Sequence, residues 1–197
     1  MEGASAFRRA FHLASPVFLG YYALPGDLGG GITRTAVTLL FLGTAACVEI
    51  ARIALGVRLF GMREYEGERV SAYAQGSLGL AFGLFVIQDP RIVVPVFIGM
   101  AWIDPLCALA RKKGWYRGIP ILAYAALFLA VEAAMEPFLA VSYAWSTRVL
   151  FAVLATATAI PLEGRKVPQL DDDFLMLIVP MVVLAFAAWI LAPLRLL

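Results

Sequence analysis

The sequence has few of the residues that mark soluble nucleic-acid-binding or metal-binding proteins. Charged residues make up only 15% of the chain, the net charge is +2, and 2 cysteines and 1 histidine occur among 197 residues. Such a small charge excess argues against a nucleic-acid partner, which a basic surface would attract. Cys47 and Cys107 lie in separate apolar runs without a partner at metal-ligand spacing, so we predict two buried, inert thiols.

Several familiar catalytic signatures are also missing. The chain contains no GxxxxGK[ST] phosphate loop, no protein-kinase signature set, no HExxH and no GxSxG. Any catalysis must therefore come from polar side chains in another arrangement.

Apolar residues are abundant instead. They make up 62% of the chain, and the mean hydropathy is +0.84, whereas a soluble domain is typically about half apolar. A single small core cannot cover that much apolar surface, so a bilayer is the natural solvent for this chain.

Charge clusters and Pro–Gly joints divide the sequence into seven apolar runs, each close to the ~20 residues that cross a bilayer. We predict spans near 8–24, 35–57, 71–88, 91–110, 117–135, 138–160 and 174–194. The predicted fold class is an all-α polytopic membrane bundle of about seven transmembrane helices, which form a single domain over residues 1–197.

The arginines and lysines predict the orientation of this bundle. If the N-terminus is cytoplasmic, only four of the 16 basic residues fall outside, namely Arg34, Arg91, Arg148 and Arg195. This bias follows the positive-inside rule and agrees with an odd number of spans. We therefore predict an integral protein of the cell membrane with most of its ionisable groups on the cytoplasmic side.

Acidic residues on that side suit a metal ion. Asp104 lies inside the fourth span, where a carboxylate is costly and usually faces a wet cavity. Asp171, Asp172 and Asp173 precede the last span; one aspartate would suffice to cap its helix. Hard carboxylates such as Asp104, Asp171 and Asp172 suit Mg²⁺, which proteins commonly hold together with substrate phosphates.

Basic residues on the same side would balance the charge of a polyphosphate. The candidates for nucleotide contacts are Arg8, Arg9, Lys112, Lys113 and Arg117. A Mg²⁺–nucleotide that reacts with a lipid headgroup at the cytoplasmic surface would use both sets, because phosphoryl transfer depends mainly on positioning and charge stabilisation.

Other polar and aromatic residues allow a simpler interpretation. Glu49 and Arg52 share a helix face and could form a structural ion pair, and His12 could be an interfacial side chain. We predict a solvated loop face at Glu64, Glu66 and Glu68. We predict interfacial aromatic belts around Trp115-Tyr116 and Tyr143–Trp145.

Five segments, taken in chain order, are similar to the motifs of one known family. They are RRAFH at 8–12, VEIAR at 48–52, MREYEGERVSAYAQGSLG at 62–79, WIDPLCALARKKG at 102–114 and EGRKVPQLDDDFLMLIVP at 163–180. Their order resembles that of the membrane-embedded polyprenol kinases, which include dolichol kinases, phytol kinases and CTP-dependent diacylglycerol kinases. That family is related to the phosphatidate cytidylyltransferases.

The match to each motif is partial. RRAFH and VEIAR are similar to the family's Arg-Lys-x-x-His and Glu-x-x-Arg elements, and Ser71 with Tyr73 to its Ser/Thr-Gly-x-x-Tyr element. Asp104 stands in the position of the aspartate of a Gly-Asp-Pro-x-Ala segment. The last segment resembles a Glu…Asp-Asp-Asn-Leu…Pro element, with Asp173 where asparagine is usual.

The resemblance implies a lipid kinase. Such an enzyme transfers a phosphoryl group from CTP, or ATP, to an isoprenoid alcohol of the dolichol, polyprenol or geranylgeraniol type, with Mg²⁺ as cofactor. The implied catalytic residues are Asp104, Asp171, Asp172, Glu49 and His12. The implied nucleotide contacts are Arg8, Arg9, Lys112, Lys113, Arg117 and Glu163. His12 or Glu49 would orient or deprotonate the alcohol.

Two departures leave other reactions open. Ile103 replaces the glycine before Asp104, and KKGWYRGIP at 112–120 replaces the family's Lys-Ser-x-Glu-Gly segment. Its Trp-x-Arg-Gly is closer to the Lys-Thr-Trp-Arg-Gly stretch of archaeal CDP-lipid synthases. The alternatives are a cytidylyltransferase that makes a CDP-activated lipid, and a non-catalytic lipid-binding relative.

Overall fold

The computed structural model describes residues 2–63, 66–67, 69–116, 118–165 and 167–192. In these ranges the protein is all-helical, and its α-helices are α1 Glu2–Ala14, α2 Arg34–Leu55, α3 Ala72–Phe82, α4 Pro90–Lys113, α5 Gly118–Met135, α6 Trp145–Ala159 and α7 Asp172–Leu191. The all-α class and the number of seven helices are confirmed. Five helical stretches in the described ranges are long and apolar enough to cross a membrane: 34–55, 90–113, 118–138, 145–162 and 172–191.

The first predicted span is a composite of two helix types. α1 continues into a 3₁₀ helix, Ser15–Tyr22, with Pro16 in its first turn. The composite packs along α4, since the Trp102 indole N–H donates to the Leu13 carbonyl at 3.1 Å. A 3₁₀ helix rises about 2.0 Å per residue, so this half reaches further than an α-helix of equal length.

The third predicted span is also irregular. α3 is followed by a π-helical turn, Gly83–Ile87, which Gln88 ends with a φ of 62°. A Cβ on Gly83 would lie 2.8 Å from the Val93 side chain and 3.2 Å from Met181. The glycine therefore lets α3 approach both α4 and α7 closely.

The core is centred on α4, which packs against α1, α5 and α7. Its inner face buries apolar side chains completely, among them Val93, Val96 and Cys107. Asp89 caps the first turn of α4, and Asp104 lies 15 residues further along, about 22 Å away at 1.5 Å per residue. Two polar regions therefore occupy opposite ends of the bundle.

α2 is peripheral, which overturns one prediction. Of its residues only Glu49 and Arg52 are buried, while apolar side chains such as Leu40 and Ile50 are exposed. Cys47 lies on this exposed surface, so the prediction of a buried thiol is wrong there and confirmed for Cys107. The reason is that α2 attaches to the bundle along one narrow edge, through Phe41 against Phe18 and through the buried Glu49 and Arg52, and leaves most of its apolar surface exposed.

The aromatic prediction also needs correction. Trp115 and Trp145 are exposed, as an interfacial belt requires. Tyr143 is instead buried, and its hydroxyl donates to Asp89 Oδ2 at 2.7 Å. The Arg91 guanidinium lies 3.8 Å above the Tyr143 ring, so Tyr143 belongs to an ion-pair network at the far end of α4.

Candidate active site

The side chains of the three consecutive aspartates make three different sets of contacts. Asp171 is the N-cap of α7 and accepts from the Asp173 N–H at 3.3 Å. Asp172 Oδ2 accepts from the Gly164 N–H at 2.9 Å, which Gly164 presents because its φ is +71°. Asp173 points toward α1, with Oδ2 at 3.8 Å from His12 Nδ1. Helix capping therefore explains Asp171 and leaves the other two unexplained.

The structure brings Asp104 against these aspartates. Oxygens of Asp104, Glu163 and Asp172 lie within 4.8 Å of one another, and the same holds for Asp171, Asp172 and Asp173. His12 Nε2 lies 3.9 Å from Asp104 Oδ2. We call these five acidic residues the carboxylate cluster. It joins α4 to the loop before α7 and the first turn of α7, about 60 residues further along the chain.

The cluster concentrates negative charge away from water. Asp171 is only 2% exposed, and within the described residues its Oδ2 has no hydrogen-bond partner. Burial, together with the adjacent Asp172 carboxylate, raises the pKa of Asp171 to about 6. Buried like charges are costly unless a cation or hydrogen bonds compensate them. This arrangement fits a hard divalent cation such as Mg²⁺.

Arginines surround the outer side of the cluster. Arg63 Nη1 and Arg69 Nη2 lie 3.9 and 3.8 Å from Asp171 Oδ2, which is beyond hydrogen-bond distance. With Arg165 and the first two aspartates of the triplet they line a cavity of about 490 Å³. We call it the arginine cavity.

A second cavity adjoins the inner side of the cluster. It has a volume of about 200 Å³, and its polar lining includes Arg8, His12 and Asp173. Most of the other residues that line it are apolar. We call it the apolar cavity. The aspartate triplet therefore lies between the arginine cavity and the apolar cavity.

The loop between α2 and α3 is less solvated than we predicted. Glu66 is 1% exposed and accepts from Arg8 Nη1 at 3.2 Å, so its assignment to a solvated face is wrong. Glu64 and Glu68 lie outside the described residues. Glu66 is buried because the loop folds back over α1, where the cation of Arg8 neutralises it.

Glu49 has the geometry of a structural ion pair. Arg52 donates to both of its oxygens, at 2.6 and 3.0 Å. The Ser71 N–H and hydroxyl donate to the same two oxygens at 2.7 and 2.9 Å. Four donors leave this carboxylate little capacity to bind a substrate hydroxyl, and they fix the start of α3 to the end of α2.

The remaining predicted residues divide into two groups. Glu163 is buried in the cluster and pairs with Arg111. Arg9 is exposed on α1, and Lys112 and Lys113 are exposed at the end of α4; none of the three lines either cavity. Arg117 lies outside the described residues.

Sequence reasoning missed several residues that shape the site. Arg63, Arg69, Arg111 and Arg165 were counted only as cytoplasmic charges. Gln75 had no motif to mark it, yet its Oε1 accepts from the Asp171 N–H at 2.7 Å and its Nε2 donates to the Gln169 carbonyl at 3.1 Å. A polar residue on an apolar helix was the one available signal for Gln75.

Comparison with models of protein families, with curated proteins and with solved structures finds no match to this chain. The motifs in the sequence and the geometry of the two cavities therefore carry the functional interpretation.

Proposed function

We propose that the protein is an integral membrane lipid kinase, which transfers a phosphoryl group from CTP or ATP to an isoprenoid alcohol on the cytoplasmic side of the membrane. One observation carries the proposal: the carboxylate of Asp104 on α4 and those of Glu163 and the aspartate triplet meet between a cavity with three arginines in its lining and a cavity lined mostly by apolar side chains. A kinase for a lipid alcohol needs these two environments side by side. The resemblance of the motifs to those of the polyprenol kinases supports this choice of reaction.

The carboxylate cluster would hold Mg²⁺. Asp104, Asp171 and Asp172 supply hard oxygen ligands, and Glu163 lies within reach of two of them. Among the described residues, Asp171 Oδ2 makes no hydrogen bond and meets Arg63 and Arg69 only at ion-pair distance, so it could also serve as a ligand atom beside Asp172. When bound, Mg²⁺ would neutralise phosphate charge as that charge develops during transfer.

The arginine cavity would hold the triphosphate. Guanidinium groups match phosphate oxygens in charge and in bidentate geometry. Arg63 and Arg69 would therefore take the phosphate-contacting role that the sequence suggested for Lys112 and Lys113, because both arginines line this cavity within 4 Å of Asp171 Oδ2, whereas the two lysines line neither cavity.

His12 would meet the lipid hydroxyl. It stands between Asp104 and Asp173, at 3.9 and 3.8 Å, gaps that a hydroxyl oxygen could bridge. As the hydroxyl oxygen forms its bond to the γ-phosphorus of the nucleotide, the hydroxyl proton would pass to the His12 imidazole. The bond from that phosphorus to the nucleoside diphosphate would break, and the diphosphate would leave. We assign this step to His12 rather than to Glu49, whose oxygens already accept from Arg52 and Ser71.

An assay with labelled nucleotide tests the proposal. Purified protein in detergent would be given Mg²⁺, geranylgeraniol and CTP or ATP labelled in the γ-phosphate. We expect a labelled lipid monophosphate and free nucleoside diphosphate. Transfer of CMP to a lipid phosphate, with release of pyrophosphate, would instead establish a cytidylyltransferase. A folded protein that transfers label from neither nucleotide would be a non-catalytic lipid-binding relative.

A further inference from the structure

The apolar cavity has one polar end and apolar walls. Five large side chains dominate its walls, namely Phe11, Phe18, Phe41, Leu80 and Phe97. Its ionisable residues Arg8, His12 and Asp173 meet beside the carboxylate cluster, where α1 and the first turn of α7 approach each other. A molecule that fills it must therefore be an apolar chain with a polar head at one end.

The cavity lies between two contacts that α2 makes, one with α3 and one with the 3₁₀ helix. Near its C-terminal end, Glu49 binds Ser71 at the start of α3. In its first half, the Phe41 ring lies 5.0 Å from Phe18 of the 3₁₀ helix. Between these contacts small residues line the space, including Ala45 on α2 and Gly76 on α3. Since the outer face of α2 is apolar and exposed, this space lies close to surrounding lipid.

The polar end favours a neutral head group. His12 Nε2 and the Tyr73 hydroxyl are buried, and neither has a hydrogen-bond partner among the described residues. A hydroxyl group can both donate and accept, so it could satisfy such atoms and also bind a carboxylate. A phosphate head would instead meet the charge of Asp173, while Arg8 in the same lining is already paired with Glu66 and Asp173.

The volume of the apolar cavity limits how many carbons of the lipid tail it can hold. An apolar cavity of about 150 Å³ holds one benzene molecule of six carbons, so a space of about 200 Å³ holds only slightly more than that. One isoprene unit has five carbons, and any longer alcohol must extend past the cavity into the bilayer.

We infer that this cavity recognises the hydroxyl end and the first one to two isoprene units of a lipid alcohol, and makes no specific contact with the rest of its tail. The identity of the head group rests on the proposed kinase function. The protein would then accept alcohols of very different length with similar affinity. Gly76 and Tyr73 of α3 would contribute to the wall that the bound alcohol contacts.

Photocrosslinking tests the inference without turnover. The probe is a geraniol analogue with a diazirine in its second isoprene unit, applied to the whole protein in detergent. We expect labelled peptides from α3 and α4, and competition by geraniol, farnesol and geranylgeraniol that agrees within threefold. Geranylgeranyl phosphate and the matching hydrocarbon should compete at least tenfold more weakly. Affinity that rises with each unit beyond the second, or a preference for the phosphate, would overturn the inference.

A blocked cavity gives a second measurement. A Cβ on Gly76 meets no atom within 4 Å, so Gly76→Leu should fill the space and reduce labelling at least tenfold. Gly43→Leu is the matched control, because Gly43 is an exposed glycine of α2 with equally open surroundings, and it should label normally. If Gly76→Leu does not fold, Ala45→Leu fills the cavity from the opposite wall.

The two proposals can fail separately. Labelling that Gly76→Leu abolishes, in a protein that transfers no phosphate, would keep the cavity assignment and reject the kinase. Phosphoryl transfer that is unchanged in Gly76→Leu would keep the kinase and reject the cavity.

Discussion

Asp172 shows how one side chain connects the elements of the site. Its Oδ2 accepts a hydrogen bond from the Gly164 N–H. One of its carboxylate oxygens also lies within 4.8 Å of oxygens of Asp104 and Glu163, close enough for the three to bind one metal ion. Because asparagine keeps the shape and one acceptor but loses the charge, Asp172→Asn separates metal binding from folding.

We expect Asp172→Asn to reduce phosphoryl transfer by about 10²-fold or more, the scale of losing an electrostatic contact in the transition state. In the wild type, Mg²⁺ should raise the Tm because it relieves repulsion within the cluster; in the variant this rise should disappear. The measurements are turnover and thermal unfolding with and without Mg²⁺. The control is Asp27→Asn, on an exposed loop. An unchanged response to Mg²⁺ would remove Asp172 from the metal site.

Arg63 decides between two assignments of the phosphate contacts. It is the exposed member of the pair that faces Asp171, whereas Lys112 lies at the solvent-facing end of α4. We expect Arg63→Gln to raise the KM for the nucleotide about tenfold, the cost of one charge-assisted contact. Lys112→Gln should change it less than twofold. The reverse order of effects would return the role to the lysine.

At the scale of elements, the junction of α2 and α3 is held by polar rather than apolar contacts. Arg52 extends the Glu49 pair by donating to the Glu66 and Arg69 carbonyls at 3.1 and 2.7 Å. The same ion pair therefore holds the loop that carries Arg63 and Arg69 over the cluster.

Substitutions at this junction should lower the free energy of unfolding more than they lower kcat. Glu49→Ala leaves Arg52 buried and unpaired, a change that typically costs about 3–5 kcal/mol. Ser71→Ala removes one hydrogen bond and the N-cap of α3, which typically costs about 1 kcal/mol. We expect Ser71→Ala to keep kcat within about threefold while its Tm falls. A loss of kcat at an unchanged Tm would instead place Ser71 and Glu49 in the chemistry.

At the scale of the whole molecule, the two polar ends differ in kind. One end carries the carboxylate cluster and its arginines. The other carries Asp89, Arg91, Tyr143 and Arg148, which bond to one another or to nearby backbone. Burial alone would raise the pKa of Asp89, but bonds from Arg91 and Tyr143 outweigh it and hold the pKa below its usual value. The second end is an ion-pair network, and Glu132 is buried beside it with Oε1 unbonded among the described residues.

Cysteine labelling in intact cells tests the proposed orientation. In a background with Cys47 and Cys107 replaced by serine, Asp27→Cys should react with a membrane-impermeant thiol reagent added outside. Arg165→Cys, at the cluster end, should react only after the cells are opened. The opposite pattern would place the site outside the cell and remove cytoplasmic nucleotides as donors.

The sequence determined the helical architecture. Apolar runs of membrane length allow few folds other than helices, because backbone groups in lipid must bond within their own segment. It also indicated that Asp104 and the aspartate triplet matter, since intramembrane and clustered carboxylates are costly wherever they occur.

The tertiary structure alone decided which charges face each other. Sequence spacing cannot tell that Glu49 is saturated by Ser71, that Glu66 turns inward to Arg8, or that Arg63 rather than Lys112 lies beside Asp171. These pairings depend on how loops fold back over helix ends, and a local pattern of polarity carries no information about that. The same holds for the apolar cavity, which α1, α2, α3 and α4 line together.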